Sequence, residues 1–366
     1  MVPGMSAASS PLSMMLADDW PTTSIAAGVS AAPVRHAVDL ARLFPVEGGD
    51  WSDRLVVETR RQLAGCLAWV EMDLRRILAQ APALAGALGP MPDAVGWTTL
   101  SAHPALMGPE LVAHMRLRAG LGLLLRQQGA PGDMDAGVSE PADFSAGGEP
   151  DLADCAAALA MAEGRWAAPG LQDGPIKPDM PAEYFAELVW IAAASLCAAM
   201  IRAGTAAVDN ILEAVDAAGA AMLARHDEGA GALGLADRLV RMAGAQADEP
   251  TLLGRALEQR RFLLFGALAA RRLRLPTPVV MAALVDGPLL QVAALCHAIG
   301  GGPADYGLML MALRPVRPAL GDAMILSETE RYAALTAAEA DAVVAMLRVA
   351  APLREGLAQI ARLARP

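Results

Sequence analysis

The residue types that could do chemistry are few and scattered. Gly229-Ala230-Gly231-Ala232-Leu233-Gly234 has the glycine spacing of a dinucleotide-binding loop. Such a loop cradles a pyrophosphate only after a strand, with an acidic residue about 20 positions further on. Here the preceding Arg225-His226-Asp227-Glu228 reads as a helix end, so the glycines predict a helix stop and a turn. His226, Asp227 and Glu228 set three acid–base or metal-ligating types side by side. Consecutive helical residues do not face one way, so a solvated helix end is predicted rather than a metal site. Cys296-His297 has the types of a thiolate nucleophile and its base. Neighbours on a helix diverge by about 100°, so a core cysteine and a partly buried histidine are expected.

His36, His103 and His114 are not expected to be ligands. Cys66, Cys155, Cys197 and Cys296 form no CxxC or other paired spacing, which a zinc site or redox dithiol would need. Lys177 lies in Pro175-Ile176-Lys177-Pro178 and not after a glycine-rich turn; GxSxG, HExxH and an EF-hand loop are absent. The expectation is a protein without a catalytic site, metal or cofactor.

The elements that would position such residues are helices. The chain is 55% hydrophobic but only 4% aromatic. Its apolar residues are mostly Ala and Leu, strong helix formers, and no alternating run of β-branched residues suggests a strand. An all-α fold follows. The net charge of −11 argues against nucleic acid and against an anionic membrane surface as partners. No Lys or Arg precedes Arg35, so a secretory n-region is missing, and Leu188–Ile201 is too short to span a bilayer. A cytoplasmic location is expected.

Along the chain, 1–33 is predicted to be loosely packed, 34–128 a separate N-terminal helical part, 129–181 a linker with a short helix, and 182–366 a C-terminal helical domain. The stripe Leu55, Thr59, Leu63, Cys66, Val70, Leu74, Ile77 marks a long helix capped by Asp50 or Ser52. Its charged residues, Glu58 and Glu71 among them, are assigned to the other faces. Further helices are expected over 34–44, 93–102, 109–128, 151–163, 181–203, 205–225, 232–245, 249–274, 277–285, 288–299 and 303–313. Thr205 is read as a cap, and Ser327 with Glu330 and Thr336 with Glu339 as capping boxes.

Leu268–Leu284 has the rhythm of a helix-turn-helix, but Val279–Val285 is too apolar to read base edges and must be buried. The same region concentrates positive charge in Arg255, Arg260, Arg261, Arg271, Arg272 and Arg274. Arg260, Arg271 and Arg274 fall away from the apolar side of Leu257, Leu264 and Leu268. They are the candidate docking face for an acidic partner or an acidic segment of the same chain.

Ala267-Leu268 with Pro276 and its apolar run can be laid over Ala294-Leu295 with Pro303 and its run, which suggests stacked two-helix units. Arg260-Arg261-Phe262, Leu268-Ala269-Ala270-Arg271, Leu275-Pro276, Val279–Leu284, Leu295-Cys296-His297-Ala298, Glu187-Leu188-Val189-Trp190 and Leu223–Gly229 carry a resemblance. Over about 181–315, with an echo in 50–128, the chain resembles an uncharacterised alphaproteobacterial domain-of-unknown-function family with HEAT-like helical repeats. The resemblance implies an α-solenoid-like fold or stacked hairpins and supplies no activity or site residues. The expected role is a non-enzymatic adaptor or regulator. The alternative is a small-molecule sensor or enzyme with a pocket between helices, and a DNA-binding regulator is the least favoured.

Overall fold

The computed structural model describes residues 32–44, 53–126, 150–167, 174–204 and 207–351, and beyond these 353, 354, 356, 357 and 360. Among them are 16 α-helices and no strand, so the fold is all-α. Of the segment 1–33 expected to be loose, 1–31 lies outside the described residues, as do Asp50, Ser52 and Thr205, whereas Ala32 and Pro33 open a helix.

Two compact units divide the chain. In the N-terminal unit the helices are α1 (Ala32–Leu43, which joins the unit from His36), α2 (Arg54–Leu78), α3 (Pro82–Leu88), α4 (Val95–Ala102), α5 (Pro109–Leu125), α6 (Pro150–Ala167), α7 (Ala182–Ala203), α8 (Val208–Ala224) and α9 (Ala232–Met242). The long α2 is the centre of this unit and packs against α4, α5, α7 and α8. Its predicted stripe is buried from Leu55 to Leu74. Asp53 caps it, accepting from Leu55 N at 2.9 Å.

The division falls between Met242 and Ala243 and not within 129–181. Composition misled here because α7 is apolar on more than one face and α2 supplies the surface it needs. Leu188, Val189, Ala192, Leu196 and Met200 share one core with Leu63, Leu67, Val70 and Leu111. The 164–181 stretch, read as linker, is also corrected. Helix α6 runs into it as far as Ala167, and 174–181 is an irregular strap with Asp179 and Met180 buried.

The second unit contains α10 (Pro250–Glu258), α11 (Phe262–Leu273), α12 (Thr277–Val285), α13 (Leu289–Ala298), α14 (Pro303–Ala312), α15 (Asp322–Ala334) and α16 (Ala337–Arg348). Each helix from α10 to α14 packs on the next, and α16 packs on α13. This is a series of stacked hairpins.

The single helix expected over 249–274 is two helices. Arg260 takes φ 56° and Arg261 N donates to Ala256 O at 2.8 Å, closing α10. The turn redirects the chain so that Phe262–Ala270 can be buried on every face. The residue in the left-handed region is arginine rather than glycine, so no letter announced the break. Ser327 lies inside α15 and caps nothing, whereas Thr336 and Glu339 form the expected capping box on α16.

Candidate functional site

The predicted docking residues sit at helix ends. Arg271, in the last turn of α11, faces Asp248: Nε to Oδ1 is 2.8 Å and Nη2 to Oδ2 is 2.9 Å. Arg271's hydrogen bonds hold the Asp248 carboxyl below its ordinary range. Arg272 Nη2 donates to Glu249 O at 2.7 Å, and Arg255 pairs with Glu249 at 3.1 Å. Asp248-Glu249 is thus an acidic segment of the same chain seated on this basic stretch. Arg260 is half-buried at the α10–α11 turn, and Arg274 is exposed at the end of α11. Among the described non-glycine residues only Ala94, Arg260 and Arg274 have positive φ. Such a backbone favours glycine and costs about 1 kcal/mol for other residues.

The buried polar residues were not legible in sequence. Arg118 of α5 and Asp179 of the strap form an ion pair with both side chains almost fully buried. Trp166 Nε1 donates to Asp179 at 2.9 and 3.0 Å, and the Arg118 guanidinium lies 4.8 Å from the Trp166 ring centroid. Arg118 Nε donates to Gln62 Oε1 at 2.9 Å, and Gln62 Nε2 donates to Glu58 Oε1 at 2.9 Å. Glu58 also takes Arg61 Nε at 3.1 Å and lies 2.7 Å from Arg126 Nη2. Burial pushes the Glu58 carboxyl up, but the bonds from Arg61, Arg126 and Gln62 outweigh it and hold it below its ordinary value. Ile176 N donates to Gly65 O at 2.8 Å, tying the strap to α2.

A second pattern concerns helix ends. A helix leaves N–H groups open at its start and carbonyls open at its end, with matching partial charges. Glu71 accepts from Val95 N and Gly96 N at 3.1 and 2.8 Å, capping α4. Glu187 accepts from Gly108 N at 2.6 Å before α5, and Glu228 from Ala182 N at 3.1 Å before α7. At helix C-ends, Arg317 donates to Ala283, Leu284 and Gly287 carbonyls at 2.7–2.9 Å, and Arg348 Nη2 to Leu273 O at 2.8 Å. Arg126 Nε donates to Ala167 O at 3.2 Å. Burial draws the Arg317 guanidinium down to about 10.

The remaining reactive types are placed separately. His226 Nε2 donates to Met180 O at 2.7 Å, and the ring stacks on Phe185; Asp227 caps the short turn after it. Gly229 and Gly231 belong to that turn and Gly234 lies in α9; a Cβ at Gly231 would stand 3.0 Å from Asp179 O. All four cysteines are buried and apart; burial pushes the Cys66 and Cys296 thiols up to about 11. Tyr332 donates to Gly301 O, next to Cys296, and stacks on Tyr306 at 4.6 Å. Among the described residues no group of three or more His, Cys, Asp or Glu is placed to hold a metal ion.

No family model, curated protein or solved structure matches this chain. Among the described residues one helix, α7, is long and apolar enough to cross a membrane; 56% of its apolar window is buried inside the protein.

Proposed function

We propose that this chain is a non-enzymatic helical adaptor or regulator that binds an acidic protein partner through the arginine-bearing ends of α10 and α11. The observation that carries this reading is the pair of left-handed arginines. Arg260 and Arg274 keep φ 56° and φ 53° at two helix ends where glycine would be unstrained. Strain held in a surface turn points to a use for the side chain. Arg271 lies in the last turn beside Arg274, and its bidentate grip on Asp248 is the contact that a partner carboxylate would imitate. Exposed Met311 on α14 and Met324 and Leu326 on α15 add apolar surface to the same unit. The buried thiols fit a cytoplasmic protein.

The test is affinity capture from the source organism. Arg274→Gly relieves the backbone while removing the charge, so it should lose partner and keep or raise Tm. Asp248→Asn frees Arg271 and should strengthen capture. Unchanged capture by both variants would refute this face. A Tm rise of several degrees with one metabolite or metal would favour the sensor or enzyme reading.

A further inference from the structure

The second unit carries its own ligand on the arginine face. A short helical turn, Gly244–Asp248, precedes α10 and packs on α11. Ala247 is the one buried residue of that turn, whereas Asp248 and Glu249 are exposed. Three arginines hold these two acidic residues. Arg271 takes both oxygens of the Asp248 carboxylate, at 2.8 and 2.9 Å. Arg272 Nη2 donates to the main-chain carbonyl of Glu249 at 2.7 Å. Arg255 Nη2 donates to Glu249 Oε1 at 3.1 Å, and Thr251 Oγ1 donates to the same oxygen at 2.6 Å. Glu249 itself is extended, with φ −57° and ψ 127°.

That pattern describes a kind of ligand. A free phosphate offers charge alone. An extended segment with neighbouring carboxylates offers two charges and, beside them, a main-chain carbonyl for Arg272. The forked guanidinium suits the carboxylate. The contacts are also easily exchanged: the Asp248 side chain is 56% and the Glu249 side chain 51% exposed, and exposed ion pairs contribute little to stability. What keeps them in place is the tether, because a segment joined directly to its site acts at a high effective concentration. Resting on the reading of this face as a docking site, we propose that Asp248-Glu249 is an autoinhibitory segment, and that the partner it excludes presents a linear acidic peptide with adjacent carboxylates. Binding of that peptide then displaces 244–249 from Arg271 and Arg272.

The experiment is fluorescence polarisation on the full chain with a labelled peptide carrying the sequence of residues 244–251. The double variant Asp248→Asn/Glu249→Gln should bind it about fivefold more tightly than wild type. Adding Arg271→Gln to that variant should remove the gain, and raised salt should weaken binding to all of them. Hydrogen exchange gives a readout that needs no variant. The amides of Gln246 and Glu249 donate within the turn to Ala243 O and Gln246 O, at 3.0 and 3.2 Å. Saturating peptide should speed their exchange in the wild type and leave α11 protected. Equal affinity in wild type and double variant, or exchange unchanged by peptide, would overturn autoinhibition. The docking face itself would survive that result if Arg271→Gln still abolished peptide binding, and would fall with it if capture of the partner were also unchanged in Arg274→Gly. Displacement of the peptide by inorganic phosphate as readily as by unlabelled peptide would overturn the proposal in favour of a general anion site.

Discussion

Trp166 Nε1 stands 2.9 Å from Oδ2 and 3.0 Å from Oδ1 of Asp179, and both residues are buried. The indole thus satisfies a carboxylate that also pairs with the Arg118 guanidinium and, at 3.9 Å, with Arg165. Trp166→Phe keeps the ring and removes the donor. Leaving a buried carboxylate one bond short costs about 1–3 kcal/mol, so the urea midpoint should fall by a corresponding amount with m unchanged. A midpoint equal to wild type would show that the indole bond is dispensable.

His114 gives the N-terminal unit a pH dependence. Burial, with the Arg118 charge adding to it, draws the imidazole from 6.5 down to about 3. It stacks on Tyr184 at 4.6 Å, and its Nε2 has no hydrogen-bond partner. The unfolded chain takes the proton first as pH falls, so this contribution to stability is complete above 6.5 and is lost between 6.5 and about 3. The slope is about 1.4 kcal/mol per pH unit. His114→Phe should flatten the stability profile between pH 6.5 and 4 relative to wild type. Parallel profiles would show that the imidazole titrates alike in the folded and unfolded chain.

Arg317 holds three carbonyls at the end of α12. Arg317→Met keeps much of the stem and removes every donor. The expected loss is about 3 kcal/mol, since buried acceptors are left open. Hydrogen exchange should speed up in the amides of Met281–Val285 before those of α13. Uniform protection in both helices would place the stabilising role elsewhere.

How far the fold was legible follows from these same residues. The stripe Leu55–Leu74 announced α2 because periodic burial of large side chains is written in single letters. Pro and Gly announced α5, α12 and α14 at Gly108-Pro109, Pro276 and Gly302-Pro303. The α10–α11 break was silent because its left-handed residue is Arg260. Helix α3 was missed because its seven residues, Pro82–Leu88, are too few to show a period. Glu58 and Glu71 looked like surface residues of α2. What makes them core residues is their partners, Gln62 and Arg126 for one and the start of α4 for the other, which only the tertiary fold brings near. Of the candidate site, the arginines were legible as a charge cluster. The seating of Asp248-Glu249 upon them was not.

Arg118, Asp179, Trp166, Gln62 and Glu58 form a buried network that pins the 174–181 strap to α2, α5 and α6. A double-mutant cycle on Arg118 and Asp179, read by urea unfolding, tests this most directly. Arg118→Met alone and Asp179→Leu alone each strand a buried charge and should lose about 3–5 kcal/mol. The double variant should lose much less than their sum, a coupling of at least about 2 kcal/mol. Single variants as stable as wild type, or losses that simply add, would show that Arg118 and Asp179 do not hold the strap together.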